Sequence, residues 1–165
     1  MIVVVRVFGL LLLAVVIGFG LWLLFVNLFG RENSMWFAGR PRSLGVHEGK
    51  LSGPKRTPNN VVSDGVEPSH TAYVAPITFT GDGPAAMIKL VAVLQSLDRV
   101  TLVRSEPDYL HAEFRSKTMG YVDDFEARLD VAAQVIHVRS ASRVGYGDHG
   151  VNRARVEMIR RKMAA

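Results

Sequence analysis

An uncharged apolar run near the start of the chain constrains this sequence most. From Val7 to Phe29 the residues VFGLLLLAVVIGFGLWLLFVNLF contain no ionisable side chain. As a helix they extend ~35 Å, which exceeds the ~30 Å hydrocarbon core of a bilayer. A signal-peptide core is usually shorter and ends in a small-x-small cleavage site, whereas Gly-Arg-Glu-Asn follows here. Residues 1–29 therefore predict an uncleaved transmembrane anchor, with a cleaved signal peptide or a buried core helix as alternatives.

The orientation of this anchor depends on two opposing arguments. Basic residues flank both ends, and counting them places the C-terminal part inside the cell. Long domains that follow a span are nevertheless translocated largely regardless of charge, and the very short N-terminal tail is typical of a signal-anchor. We therefore expect a single-pass membrane protein with an extracytoplasmic, periplasmic domain, and membrane lipid among its partners.

The composition of the remaining chain excludes several classes of protein. There is no cysteine, which excludes a disulfide framework, a thiolate metal site and a cysteine nucleophile. Residues 71–165 carry thirteen basic and eleven acidic side chains, and this near balance does not indicate a nucleic-acid partner.

Residues 30–72 contain many glycines and prolines and little periodic apolar pattern, so they predict an irregular arm. Forty residues without regular structure are uncommon unless they pack on something, so this arm is expected to wrap the domain or a partner. The following domain, residues 73–165, opens with a strand over Tyr73 to Thr80. A helix from Pro84 to about Leu97 comes next, with apolar residues at helical spacing.

Four alternating segments then predict an antiparallel meander, followed by a final helix from about Val151 to Met163 that Asp148 caps. The fold class is therefore α+β: a transmembrane helix, then an antiparallel sheet packed on two helices in the order β-α-β-β-β-β-α. The four strands are expected at Val100–Arg104, Tyr109–Arg115, Tyr121–Leu129 and Val135–Val144.

Alternation assigns opposite characters to the two faces of this sheet. One face is apolar and meets the helices; it comprises Leu110, Ala112, Phe114, Phe125, Ala127, Leu129, Ile136 and Val138. The other face is polar and is expected to meet water or a ligand; it comprises His111, Glu113, Arg115, Asp124, Glu126, Arg128, His137 and Arg139.

Two groups of residues on these strands are candidates for a metal site or for acid-base catalysis. His111, Glu113 and His137 could converge as a metal or acid-base cluster, but cross-strand charge pairing explains them more simply, and we predict no metal and no cofactor. Asp123 and Asp124 are adjacent on a strand and point to opposite faces, so they cannot act as a catalytic pair. Asp123 falls on the apolar face, where a lone charge needs a partner, and Arg143 is the candidate.

The segment RSASRVGYGDHGVNR at 139–153 is the densest in polar groups and leads into a helix N-terminus. It could bind an anion through backbone N–H groups and arginine, or it could be a strand-to-helix corner whose polar groups satisfy the backbone. Serines, a histidine and an aspartate occur here without a nucleophile elbow, so a hydrolase is not indicated.

Several motifs resemble the bacterial and plastid domain-of-unknown-function family 1499. They are LGVHEGKL at 44–51, TPNNVVS at 57–63, GYVDDFEARLD at 120–130 and VIHVRSASRVGYGDHGVNRARVEMIR at 135–160. The resemblance extends from about Leu44 to Met163. It implies no activity, but members are often exported or membrane-anchored. Where the family commonly has a cysteine pair, this chain has Gly53 and Asn60. The positions that the resemblance suggests for a shared binding site are Arg139, Ser140, Ser142, Arg143, Tyr146, Asp148, Asn152 and Arg153.

Three functions remain open from the sequence. The favoured one is a non-enzymatic, membrane-anchored accessory protein that docks on a protein partner in the membrane or envelope. The alternative is a small-molecule or lipid carrier, which requires an enclosed apolar pocket between sheet and helices. An anion-dependent enzyme would require Arg139, Arg143 and Arg153 to converge in one open cleft.

Overall fold

The computed structural model describes residues 2–29 and 39–165 of the chain, which form two separate units. The first unit contains helix α1, Ile2–Phe29. Within α1 the rings of Phe19 and Trp22 stack with centroids 5.7 Å apart. In the described part of the chain, no helix combines the length and the apolar character needed to cross a membrane.

The second unit begins at Arg40 and runs to Ala165. Its central element is a six-stranded sheet in which β3, β8, β7, β6 and β5 are neighbours in that order, and β4 also pairs with β8. All of these named strand pairs are antiparallel. The elements are β1 Val46–His47, β2 Lys50–Leu51, β3 Asn60–Val62, β4 Ile77–Thr78, α2 Gly83–Gln95, β5 Val100–Ser105, β6 Tyr109–Arg115, β7 Val122–Asp130, β8 Val135–Ser142 and α3 Val151–Ala164.

The α+β class, the four-stranded meander and the two domain helices are confirmed, with ends that differ from the prediction by one or two residues. Helix α2 begins where Asp82 accepts a hydrogen bond from the N–H of Ala85 at 3.0 Å, and Pro84 occupies its first turn. The predicted strand over 73–80 is reduced to Ile77–Thr78. Pro76 immediately precedes this strand and has no N–H to give to a sheet.

The hydrophobic core lies between the sheet and the two helices, as the alternation predicted. Phe125, Ala127, Ile136 and Val138 are fully buried, and they belong to one cluster with residues of α2 and α3. Gly83 packs closely on the sheet side, since an added Cβ would lie 3.1 Å from the side chains of Leu129 and Val131, which would have to shift. The members of the cluster from the helices are Ala86, Met87, Leu90, Leu94, Val156, Ile159 and Met163.

The segment predicted as an irregular arm over 30–72 contains three short strands. Residues 30–38 lie outside the described residues, but Arg40–Val62 contains three strands, and β3 pairs with β8 inside the sheet. The predicted order therefore lacks β1, β2 and β3, and the compact unit starts near residue 40 instead of 73. These strands have only two or three residues each, too few to show alternation in the sequence.

Much of the polar face of the sheet is covered instead of solvated, which corrects a second expectation; His111, Asp124, Glu126 and Arg139 are buried, whereas Arg115 is exposed. We call residues 40–64 the strap, because they cross this face and bind it. Arg40 pairs with Glu113 at 2.7 Å, the N–H of Gly45 donates to Glu126 at 2.7 Å, and Arg128 donates to Asp64 at 3.0 Å. The arm thus wraps the domain, one of the two arrangements that its length suggested.

Candidate functional site

Glu126 lies at the centre of the covered face and is fully buried. Its Oε1 accepts the N–H of Gly45 at 2.7 Å and the hydroxyl of Tyr109 at 2.9 Å, and its Oε2 accepts Nη1 of Arg139 at 2.9 Å. Burial and the neighbouring Glu126 charge raise the pKa of Tyr109 well above its usual range. The Nε of Arg139 is buried and has no hydrogen-bond partner among the described residues.

Asp124 is the second buried carboxylate of this face and lies under two cationic or donor side chains. Arg143 donates to both of its oxygens, at 2.9 and 2.7 Å, and Nε2 of His111 donates at 2.8 Å. Nη2 of Arg143 also reaches Glu113 at 2.6 Å. Burial alone would raise the pKa of Asp124, but these hydrogen bonds and the Arg143 charge outweigh it and hold the pKa below its usual range. The pKa of Glu113 is lowered in the same way, by Arg143 and Arg40 against burial.

The predicted pairing of Asp123 with Arg143 is wrong. Arg143 lies four residues after Arg139, so its side chain points to the same polar face of the sheet. Asp124 lies on that face. Asp123 receives its partner from α3 instead, with Nη2 of Arg155 at 2.6 Å from its carboxylate. The guanidinium of Arg155 also lies over the ring of Phe114, 4.5 Å from the centroid.

The candidate metal cluster is only partly assembled. His111 and Glu113 lie together with Asp124, and their ligand atoms are within 4.8 Å of one another. His137, the predicted third member, lies 3.9 Å from Asp64 and from Asp130 instead. Since Arg143 already hydrogen-bonds both carboxylates, the geometry is that of cross-strand charge pairing.

A separate polar group lies where α3 meets β8, and Asn152 is its centre. This side chain is fully buried and uses both ends of its amide. Its oxygen accepts Ser140 Oγ at 2.7 Å and Arg155 at 2.6 Å. Its nitrogen donates to the carbonyl of Asn59 at 3.1 Å and to Ser142 Oγ at 3.0 Å. We call Asn152 with Ser140, Ser142 and Asn59 the amide cluster.

Asp148 supports the start of α3 in a way that differs from the predicted cap. Gly150 is the N-cap residue, with a positive φ of 80°. Asp148 lies two residues earlier, and its carboxylate accepts the N–H groups of Gly150 at 3.1 Å and Asn152 at 2.8 Å. Burial opposes ionisation of Asp148, but the hydrogen bonds from Asn152 and Gly150 outweigh it and lower its pKa.

The eight residues suggested by the resemblance therefore do not form one site. Arg139 and Arg143 lie in the covered face, whereas Ser140, Ser142 and Asn152 lie in the amide cluster. Tyr146 is 76% exposed, and Arg153 is an exposed residue that donates to the carbonyl of Thr71 at 2.8 Å. The three arginines point separately into internal contacts, so they do not converge in one open cleft as the anion-dependent enzyme requires.

The sequence reasoning missed the residues that tie the strap to the sheet. Asp64 accepts hydrogen bonds from Arg128 and from the N–H of Leu51, both at 3.0 Å, and is buried. Asn59 binds the carbonyls of Val144 and Gly145 through its amide nitrogen. The Pro-Asn-Asn run within TPNNVVS is the signal for this tight turn.

Asn60 occupies the second of the two positions where the resembled family commonly has cysteines, and its side chain holds the neighbouring loop. Asn60 is buried, accepts the N–H of Lys55 at 3.1 Å and donates to the carbonyl of Thr57 at 2.7 Å. Its side chain thereby closes the loop 55–60 by hydrogen bonds. Gly53, at the other position, is exposed and has open space around it.

Comparison with known proteins gives one match. No curated protein and no solved structure matches the chain. The family model described as "Protein of unknown function (DUF1499)" matches residues 50–163. This range contains β3, the meander, both domain helices and nearly all of the residues that suggested the resemblance. The chain therefore belongs to the DUF1499 family.

Proposed function

We propose that this protein is a non-enzymatic accessory protein, anchored in a membrane by α1, whose domain docks on a protein partner of the membrane or envelope. The surface of α1 is the observation that carries the proposal. Ten large apolar side chains between Leu11 and Leu24 are each 47% to 67% exposed. So much exposed apolar surface calls for a lipid or protein environment. An extracytoplasmic, periplasmic position of the domain is part of the proposal.

Several arginines of the domain are paired with its own carboxylates, which supports a binding role over a catalytic one. Arg139, Arg143 and Arg155 each pair with a carboxylate inside the domain. Arginines held in such pairs are already engaged inside the domain and are not free to bind a substrate. A domain whose charged groups are engaged internally suits a protein that acts through its outer surface.

The described core offers the carrier alternative no enclosed space, although a pocket of about 470 Å³ that is open to solvent lies between β4, α2 and the end of α3. Leu90, Leu94, Phe125, Ile136 and Ile159 are 0% exposed, so no water-sized void touches them. An apolar ligand between sheet and helices would need a pocket of several hundred Å³. We therefore do not propose a carrier.

Membrane fractionation with an alkaline wash tests the anchor. We expect the full chain to stay in the membrane pellet. Replacing Leu13 and Ile17 by arginine should release it, since each central arginine costs about 2.5–3.5 kcal/mol in a membrane helix. The matched control is Ile88→Arg with Val131→Arg, which adds the same charge at exposed positions of the domain. A wild-type chain in the soluble fraction after gentle lysis would overturn the anchor.

Site-specific photo-crosslinking in native membranes tests the docking. The probe would replace Ile88, Met119 or Tyr146 in turn, which are exposed by 70%, 56% and 76%. We expect one of these positions to give a defined adduct whose partner also copurifies in mild detergent. If every position and several detergents yield only the monomer, the docking proposal fails.

A further inference from the structure

A groove lies where two of the family-like segments meet, and its lining carries an excess of positive charge. It has a volume of about 390 Å³ and is lined by nine residues from 55–60, 70–72 and position 146. Lys55, Arg56 and His70 are among them, and none is aspartate or glutamate. By contrast, the cleft beside β1 contains Arg104 and Arg128 together with Glu106 and Asp108.

Arg56 differs from most arginines of the domain. Seven others contact a carboxylate within 4.0 Å, whereas Arg56 has no partner in the part of the chain that the structure describes. Its guanidinium remains available for a bidentate oxyanion, the geometry that this group binds best. The seven paired arginines are Arg40, Arg104, Arg128, Arg139, Arg143, Arg155 and Arg160.

The walls of the groove are held in place by hydrogen bonds beneath them. Asn60 closes the loop that carries Arg56, and Asn59 binds the backbone next to Tyr146. Elsewhere in the lining, Nδ1 of His70 accepts the N–H of Ala72 at 3.0 Å. This contact puts the proton of a neutral imidazole on Nε2, which leaves an N–H donor for a ligand. A site fixed in advance loses little freedom on binding.

We propose that this groove binds a phosphate group, held by the guanidinium of Arg56 with His70 as a second donor. The site follows from the guanidinium of Arg56 in a groove whose lining residues include no aspartate or glutamate. Its volume accommodates a phosphate together with a small organic part. The phosphate could belong to a soluble phosphate ester or to an anionic lipid headgroup. The inference is independent of the proposed docking, since it concerns the domain alone.

Isothermal titration calorimetry on the full chain in neutral detergent tests this site, with inorganic phosphate and glycerol 3-phosphate as probes. Arg56→Gln should weaken binding about tenfold or more, because it removes a charge-assisted hydrogen bond. Arg56→Lys should weaken it less, since it keeps the charge but loses the fork. His70→Ala should weaken it moderately.

Arg161→Gln is the matched control, because it removes the same charge from an exposed position at the far end of α3. It should bind both probes like the wild type. No binding of either probe at millimolar concentration, or equal affinities for Arg56→Gln and Arg161→Gln, would overturn the proposal. Micelles doped with phosphatidylglycerol identify the source. If they suppress glycerol 3-phosphate binding relative to phosphatidylcholine, the headgroup occupies the site; equal binding identifies a soluble ester.

Discussion

The buried carboxylates of Asp124 and Glu126 each have several hydrogen-bond partners. A small chemical change in either side chain should therefore alter the stability of the domain. Asp124 and Glu126 are almost completely buried, at 1% and 0% exposure. Each carboxylate has an arginine within 2.9 Å. A buried pair contributes little net stability relative to apolar residues, but removal of one partner leaves a buried charge uncompensated.

Asp124→Asn tests this argument at constant side-chain volume. The neutral amide cannot balance the positive charge of Arg143. Its NH2 group would also face the N–H donors of Arg143 and His111. We expect a loss of about 3–5 kcal/mol in the free energy of unfolding, measured by urea titration. Asp98→Asn is the control, because Asp98 is exposed, and it should change stability by less than about 0.5 kcal/mol. Equal stability of the two variants would contradict the paired-charge interpretation.

Asn152→Asp tests the amide cluster. The replacement turns the donating nitrogen into an oxygen that faces the carbonyl of Asn59 and the carboxylate of Asp148, 2.8 Å from the present nitrogen. Two acceptors would then oppose each other in a buried place, so we expect a loss of at least about 2 kcal/mol in unfolding free energy. Asn152→Ala should cost a comparable amount. The exposed Gln95→Glu is the control and should leave the denaturation midpoint unchanged.

At the scale of elements, the strap determines what the polar face of the sheet can do. Strands β6 and β7 present Glu113, Glu126 and Arg128 to residues 40–64. One of its contacts is made by Gly45, whose φ is 111° and whose N–H donates to Glu126. This backbone conformation is one that residues with a Cβ rarely adopt.

Gly45→Ala should therefore loosen the strap without unfolding the sheet. The strain of a positive φ costs about 1–3 kcal/mol, and the hydrogen bond to Glu126 would weaken with it. Hydrogen–deuterium exchange should show faster exchange over residues 40–64 and unchanged exchange in β7. Gly53→Ala is the matched control, because Gly53 has no positive φ and has open space around it. Uniform exchange changes across the domain would mean that the strap is not a separate unit.

The elements that could be predicted are those with a long periodic pattern. Helix α2 and strands β5 to β8 follow from spacing and alternation. The strap could not be predicted, since strands of two or three residues have no period, and its contacts are long-range ion pairs. The amide cluster was missed for a related reason. Asn59 and Asn152 are 93 positions apart, and only the pairing of β3 with β8 brings them together.

For the whole molecule, the paired carboxylates link stability to pH. Glu113, Asp124 and Asp148 have lowered pKa values in the folded domain. Their contribution to stability is therefore complete above the pKa of the unfolded carboxyls, about 4, and is lost as the pH falls through the folded values. The arginine partners stay protonated throughout, so the carboxyl groups set the direction of the effect.

We expect the free energy of unfolding of the full chain in neutral detergent to decrease progressively as the pH is lowered from about 5 to 2.5. Urea titrations followed by circular dichroism measure it at each pH. The slope reports the difference in bound protons between the unfolded and folded states, so Asp124→Asn, which lacks one lowered pKa, should show a shallower decrease than the wild type. Asp98→Asn should retain the wild-type slope, because Asp98 is exposed. A wild-type stability that is the same at pH 3 as at pH 7 would show that the unfolded state binds no more protons than the folded state in this range, which would contradict a stabilising role of these carboxylates.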